Sequence, residues 1–267
     1  MSTLAYTVSD SRTLLRRNLR RLRRYPSMTL LLIGMPIVFL LLFVYVFGDQ
    51  LSHGLSSTLA GGHAGRGGYL NYVTPGILLM TIAATVQGTA IVVAMDMTGG
   101  IIDRFRTMAI ARAAVLTGHV LASLIQTLAS IAVVLGVAIA LGFRPTADPL
   151  RWLAAIGMLA LFAFALIWLA TALGLAAKSV ETASNTPMFL TLLPFLGSGF
   201  VPTTTMPVGL RQFATYQPFT PVTETLRGLL TATPIGTHAI IAIAWSVGIA
   251  GASYLWATRV YQRRQPR

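Results

Sequence analysis

Seven acidic residues and four histidines are the whole stock for proton transfer or metal binding: Asp10, Asp49, Asp96, Asp103, Asp148, Glu181 and Glu224, with His53, His63, His119 and His238. There is no cysteine, which removes thiolate chemistry, disulfides and Cys-type zinc sites. An ion-coupled carrier ordinarily holds an ionisable group at mid-membrane, and an intramembrane enzyme needs paired carboxylates, a histidine cluster or a serine beside a base. Neither pattern occurs, because every acid lies at or outside the ends of the long uncharged stretches and only His119 and His238 come near those ends. His53 and His63 sit in a glycine-rich stretch without further ligands at fixed spacing, so no metal is assigned. A P-loop needs Gly-Lys-Ser/Thr, and the single lysine, Lys178, follows Ala177, so this chain does not bind ATP that way.

Three polar patterns remain. Thr81, Thr85 and Thr89 recur every four residues, with Gln87 nearby, and would mark one polar stripe on an otherwise apolar helix. Such a stripe either lines a cavity or satisfies its hydroxyls on its own backbone while packing helices together. Glu224 and Arg227 are three apart and can pair, as a latch on an outer gate or as an ordinary helix ion pair. If pairing were the whole of their role, reversing both charges would restore what either reversal loses. The segment Thr98 to Arg112 begins with Gly99 and Gly100 and then sets Asp103, Arg104, Phe105, Arg106 and Met108 on a short amphipathic turn. Phe105 and Met108 could fill a pocket on a soluble partner while the charged residues bond its rim; a solvated loop is the other reading.

The elements that carry these residues follow from composition. Of 267 residues 55% are hydrophobic and 10% charged, against roughly 25% charged in soluble domains. Uncharged runs extend from Tyr25 to Gly48, Gly67 to Met95, Ala113 to Phe143, Trp152 to Ala177, Thr182 to Leu210 and Gly228 to Thr258. Each exceeds the roughly 20 residues a helix needs to cross the hydrocarbon core. Alternation over about 10 residues, the mark of a barrel strand, is missing. The expected fold is therefore an all-α polytopic membrane protein forming one transmembrane domain. Its six spans fall at about 27–47, 70–96, 114–142, 152–177, 182–202 and 236–258. The first run is too long for a signal-peptide core and is read as a permanent span.

With the N-terminus inside, fifteen of the twenty basic residues face the cytoplasm and only Arg66, Arg144, Arg151, Arg211 and Arg227 face outward. That satisfies the positive-inside rule with both termini cytoplasmic. Residues 10–25 put Leu14, Leu15, Leu19 and Leu22 on one face among seven arginines, the pattern of an interfacial helix on anionic lipid rather than of a nucleic-acid binder. Pro187, Pro194, Gly197, Gly199 and Pro202 interrupt the fifth run, and Pro207, Pro218 and Pro221 follow. Prolines remove backbone donors and break helices, so 203–230 is expected to return to its own side through short helices at Val208 to Tyr216 and Pro221 to Leu230, or to form an irregular outer loop.

Two stretches carry a family resemblance: Gly100 to His119, GIIDRFRTMAIARAAVLTGH, and Gly199 to Leu230, GFVPTTTMPVGLRQFATYQPFTPVTETLRGLL. Together with the basic N-terminus and the six-span plan, they resemble the ABC type-2 permeases, in particular the daunorubicin-resistance branch. Where that family commonly has a proline near Ala109 and an arginine near His119, this chain has neither. The resemblance implies that 99–112 is the coupling helix, with Asp103, Arg104, Phe105, Arg106 and Met108 meeting a nucleotide-binding subunit, and that 203–230 is an extracellular re-entrant segment. It implies two permease and two ATPase subunits in the inner (cytoplasmic) membrane, the permeases as a homodimer, with ATP and Mg held by the ATPases and no cofactor in this chain. Similar exporters line a cavity with their second and fifth spans, which adds Asn185, Phe189 and Thr191 to Thr81, Thr85, Gln87 and Thr89. The cargo implied is an amphipathic drug, antibiotic or lipid-like compound. Export of a lipid-linked glycan by the same architecture, or ion-coupled transport, are the alternatives.

Overall fold

The computed structural model describes residues 26–54, 65–98 and 112–263. The expected interfacial helix at 10–25, residues 55–64 of the glycine-rich stretch with His63, and the coupling residues Asp103, Arg104, Phe105, Arg106 and Met108 lie outside them. All regular structure among the described residues is helical. The elements are α1 (Pro26–Leu41), α2 (Gly48–Gly54), α3 (Arg66–Thr98), α4 (Arg112–Ala140), α5 (Pro149–Ala176), α6 (Val180–Asn185), α7 (Met188–Leu192), α8 (Val208–Tyr216), α9 (Phe219–Thr231) and α10 (His238–Arg263). Among the described residues, four helices are long and apolar enough to cross a membrane: α3, α4, α5 and α10.

The first and fifth expected spans are not plain helices. After α1 the chain continues through a π-helical turn, Leu42–Val46, closed by the Phe47 N–H donating to the Leu42 carbonyl. The fifth run, expected as one span over 182–202, is instead two fragments, α6 and α7, followed by turns to about residue 201. Pro187 cannot donate between the fragments, and Pro194 cannot donate just after them. A 3-10 turn, Thr203–Thr205, then leads into α8 and α9.

Local signals set the other ends. Asp148 accepts from the Arg151 N–H at 2.7 Å and Pro149 takes the first helical position, so α5 starts with a capped turn and a preset φ. At the far end of α4, Gly142 has φ +108, which lets the Phe143 N–H reach back to the Ala138 carbonyl at 2.9 Å and close the helix.

Buried on nearly all sides, α3 is the central post: Tyr69, Val73, Ile77, Ile82, Val86 and Ala90 are all within 1% of complete burial. It packs against α1, α4, α5, α6 and α9. Lipid tails are as apolar as leucine, so helix association in a bilayer relies on close van der Waals fit at small residues. Gly174 of α5 supplies one such place, since a Cβ there would lie 2.6 Å from the Ala90 carbonyl oxygen of α3. Gly76 of α3 supplies another against Gly199. Phe195 and Phe200 stack with centroids 4.6 Å apart, and Phe39 of α1 and Phe43 of the π-helical turn pack onto them, tying the first element to the broken segment. Packed on α5 through Trp168 and Tyr254, α10 exposes Ile240, Ile243, Val247 and Leu255, the apolar face expected of a helix bordering lipid.

Candidate functional site

Breaking the fifth run frees backbone carbonyls that a continuous helix would have satisfied. In a bilayer such groups need protein or trapped-water partners. The donors here come from α3 and α9. Arg227 of α9 donates through Nη2 to the Ser198 carbonyl at 2.8 Å and to the Tyr72 carbonyl at 3.2 Å. Its Nη1 donates to Glu224 Oε1 at 2.6 Å, and its guanidinium carbon lies 3.8 Å from the centre of the Tyr72 ring. Tyr72 Oη donates to the same Ser198 carbonyl at 3.1 Å, and Tyr69 Oη to the Phe200 carbonyl at 3.3 Å. A strongly hydrated lysine could not reproduce this, because one planar fork serves two carbonyls, a carboxylate and a ring face together.

The same junction has tight backbone packing and unmet polar groups. A Cβ on Gly76 would meet the oxygen, Cα and carbonyl carbon of Gly199 at 2.6, 2.7 and 2.8 Å. Gln217 Nε2 donates to the Leu193 carbonyl at 2.9 Å, and the Ser198 N–H donates to Thr220 Oγ1 at 3.3 Å. Ser198 Oγ, Gln217 Oε1 and Arg227 Nε are buried without a hydrogen-bond partner. The sequence pairing of Glu224 with Arg227 is thus one contact among several, and it is the least buried part: the Glu224 side chain is 28% exposed and that of Arg227 13%.

The threonine stripe is satisfied on its own helix. Thr81 donates to the Ile77 carbonyl at 2.9 Å, Thr85 to that of Ile82 at 2.9 Å, and Thr89 to that of Thr85 at 3.1 Å. All three are buried within this chain, and Thr85 Oγ1 meets Thr127 Oγ1 of α4 at 3.0 Å. Gln87 reaches the fifth run instead, donating to the Ser184 carbonyl of α6 at 3.0 Å. Asn185 and Phe189 are exposed, while Thr191 is half-buried and donates to the Met188 carbonyl at 2.6 Å. Within one chain, then, the structure joins Gln87 to the fifth run, buries the threonines with Thr85 against α4, and leaves Asn185 and Phe189 on the surface.

Sequence reasoning missed Tyr72 and Ser198, whose roles depend on a carbonyl released by a distant helix break. It also treated Asp96 and His119 only as residues near span ends. They form a buried pair, His119 Nε2 to Asp96 Oδ2 at 3.3 Å, between the last turn of α3 and the second turn of α4. Their common proximity to the segment joining the two helices was the available signal. Among the described residues, no three His, Asp or Glu side chains gather as metal ligands would.

Membrane-length helices around a buried post, with a broken segment pinned at one end by an arginine, define an α-helical integral membrane protein with a built polar junction. Residues 10–231 match the ABC-2 type transporter family, and the chain belongs to that family. It is 25% identical over 261 residues to the daunorubicin resistance ABC transporter permease protein DrrB1 of Streptomyces coeruleorubidus, covering 97% of this chain and 88% of that one. It is also 25% identical over 175 residues to the probable doxorubicin resistance ABC transporter permease protein DrrC of Mycobacterium tuberculosis, covering 64% of this chain and 63% of that one.

Proposed function

We propose that this chain is the transmembrane subunit of an ATP-driven exporter that moves amphipathic drugs, antibiotics or lipid-like compounds out of the cell. The observation that carries the reading is family membership together with similarity along nearly the whole chain to a daunorubicin resistance permease. Two copies work with two separate ATPase subunits, which bind ATP and Mg and do the hydrolysis. A separate motor suits a sequence whose only lysine follows alanine. The chain crosses the cytoplasmic membrane six times with both ends inside; α1 with its π turn and the broken 180–202 segment supply the two crossings beyond the four long helices. Fifteen inner against five outer basic residues support that orientation.

Closure of the ATPases pushes on Asp103, Arg104, Phe105, Arg106 and Met108, while the basic helix at 10–25 rides on anionic lipid. At the outer end, Arg227 holds the broken segment against α3 and keeps the pathway shut. Asn185 and Phe189, exposed on one chain, face the partner copy across the pathway, with Thr191 beside them; Gln87 supports α6 from behind. The threonine stripe turns towards substrate only if α4 moves away.

The test is ATP hydrolysis and daunorubicin uptake into inverted proteoliposomes holding this chain and its cognate ATPase. Drug-stimulated turnover requiring both subunits, with uptake abolished by Arg104→Ala combined with Phe105→Ala, is the expected result. Undiminished uptake by that double variant removes the coupling assignment, and no effect of this chain on ATP turnover removes the exporter.

A further inference from the structure

We infer that Asp96 and His119 are positioning residues that lock α3 and α4 into one lever, so that a push delivered between them moves both helices together. The inference rests on the exporter reading above. Three polar contacts join the two arms of this hairpin at three depths. Near the segment that links them, His119 Nε2 meets Asp96 Oδ2 at 3.3 Å, with the side chains 7% and 2% exposed. Midway along, the hydroxyls of Thr85 and Thr127 meet at 3.0 Å. At the far end, the Arg144 N–H donates to Asn71 Oδ1 at 3.3 Å. Asp96, Thr85 and Asn71 run down α3 in step with His119, Thr127 and Arg144 along and just past α4, so all three contacts belong to one antiparallel register.

The physical need is resistance to sliding. Apolar contacts between helices in a bilayer are non-directional and shift at little cost, whereas a carboxylate buried beside an imidazole carries a large penalty for losing its polar partner. The pair sits at the end of the hairpin that receives the push, where slippage would waste the most motion. Thr85 and Thr127 are neutral and also bonded to their own helices, so they add register but little resistance.

The experiment uses the complex of this chain with its cognate ATPase in proteoliposomes and reads daunorubicin moved per ATP hydrolysed. Asp96→Leu and His119→Leu should each lower that ratio by about tenfold, within the 5–150-fold span of typical coupling free energies, while ATP turnover persists. The exchange Asp96→His with His119→Asp should recover most of the loss. Single variants with an unchanged ratio, or an exchange as defective as the singles, would overturn the inference. A second measurement keeps the pair intact. The chain has no cysteine, so spin labels attach only at introduced ones. Labels at Met95→Cys and Val133→Cys, both on exposed positions of the hairpin, should keep their separation between nucleotide-free and ATP-trapped states. Labels at Met95→Cys and Arg259→Cys should change theirs. Motion within the hairpin would refute the lever even if the variants failed to insert. Absence of ATP-dependent transport by the unaltered complex would instead overturn the exporter reading, and the lever with it.

Discussion

Replacing Arg227 tests whether the outer junction is held by an ion pair or by backbone capture. In Arg227→Ala the chain loses two charge-assisted bonds, to the Ser198 and Tyr72 carbonyls, the bond to Glu224, and the stack on the Tyr72 ring. Charge-assisted bonds contribute about 1.5–3 kcal/mol each and a desolvated cation–π contact about 2 kcal/mol, but groups sharing one side chain do not add. Removing one partner of a buried charged cluster typically costs about 3–5 kcal/mol, and that is the expected loss here. Glu224→Gln keeps both carbonyl bonds and the ring contact, so it should cost about 1 kcal/mol or less. Arg227→Lys keeps the charge without the fork and should fall between. Exchanging the two charges should not restore stability, because a glutamate at 227 would set an acceptor against two acceptor carbonyls. The assay is the thermal midpoint of the purified protein in detergent, beside passive dye leak through proteoliposomes without ATP. Arg227→Ala should lower the midpoint by on the order of 10 °C, given about 2–4 °C per kcal/mol for a chain of this size, and raise the leak. Equal effects from Glu224→Gln and Arg227→Ala, or full recovery by the exchanged pair, would refute the reasoning.

The small-residue crossings give a second expectation. Gly76→Ala places a methyl 2.6 Å from the Gly199 carbonyl oxygen, against backbone that cannot rotate away, and should destabilise by about 1–3 kcal/mol in the same thermal assay. Gly157→Ala on α5, where a Cβ meets nothing within 4 Å, should be neutral or stabilising by up to about 1 kcal/mol. Asp148→Ala removes the cap on the Arg151 N–H and should cost about 1 kcal/mol, with Asp148→Ser recovering most of it.

Much of the architecture was legible because a bilayer is a demanding solvent. Uncharged runs of more than about 20 residues have few fates other than a spanning or buried helix. The long helices α3, α4 and α5 therefore begin and end within a few residues of the uncharged runs, whereas the last run first carries the end of α9 and α10 begins only at His238. Prolines 187 and 194 announced trouble in the fifth run, since a missing donor is a local fact. The adjacency of Glu224 and Arg227 was equally local, being one helical turn.

Helical membrane character and the positions of the apolar runs thus follow from residue types taken in order along the chain. Only the tertiary structure decided where polar side chains spend their hydrogen bonds. Helical periodicity shows that Thr81, Thr85 and Thr89 share a face but not that Thr85 meets α4, because the rotation of a helix about its axis is set by its neighbours. Nor can spacing show that Arg227 seeks the Ser198 carbonyl, or that Asp96 and His119 meet. Those pairings join residues 29 and 23 positions apart, brought together by packing of glycine on backbone and of the buried α3 against α1, α4, α5, α6 and α9.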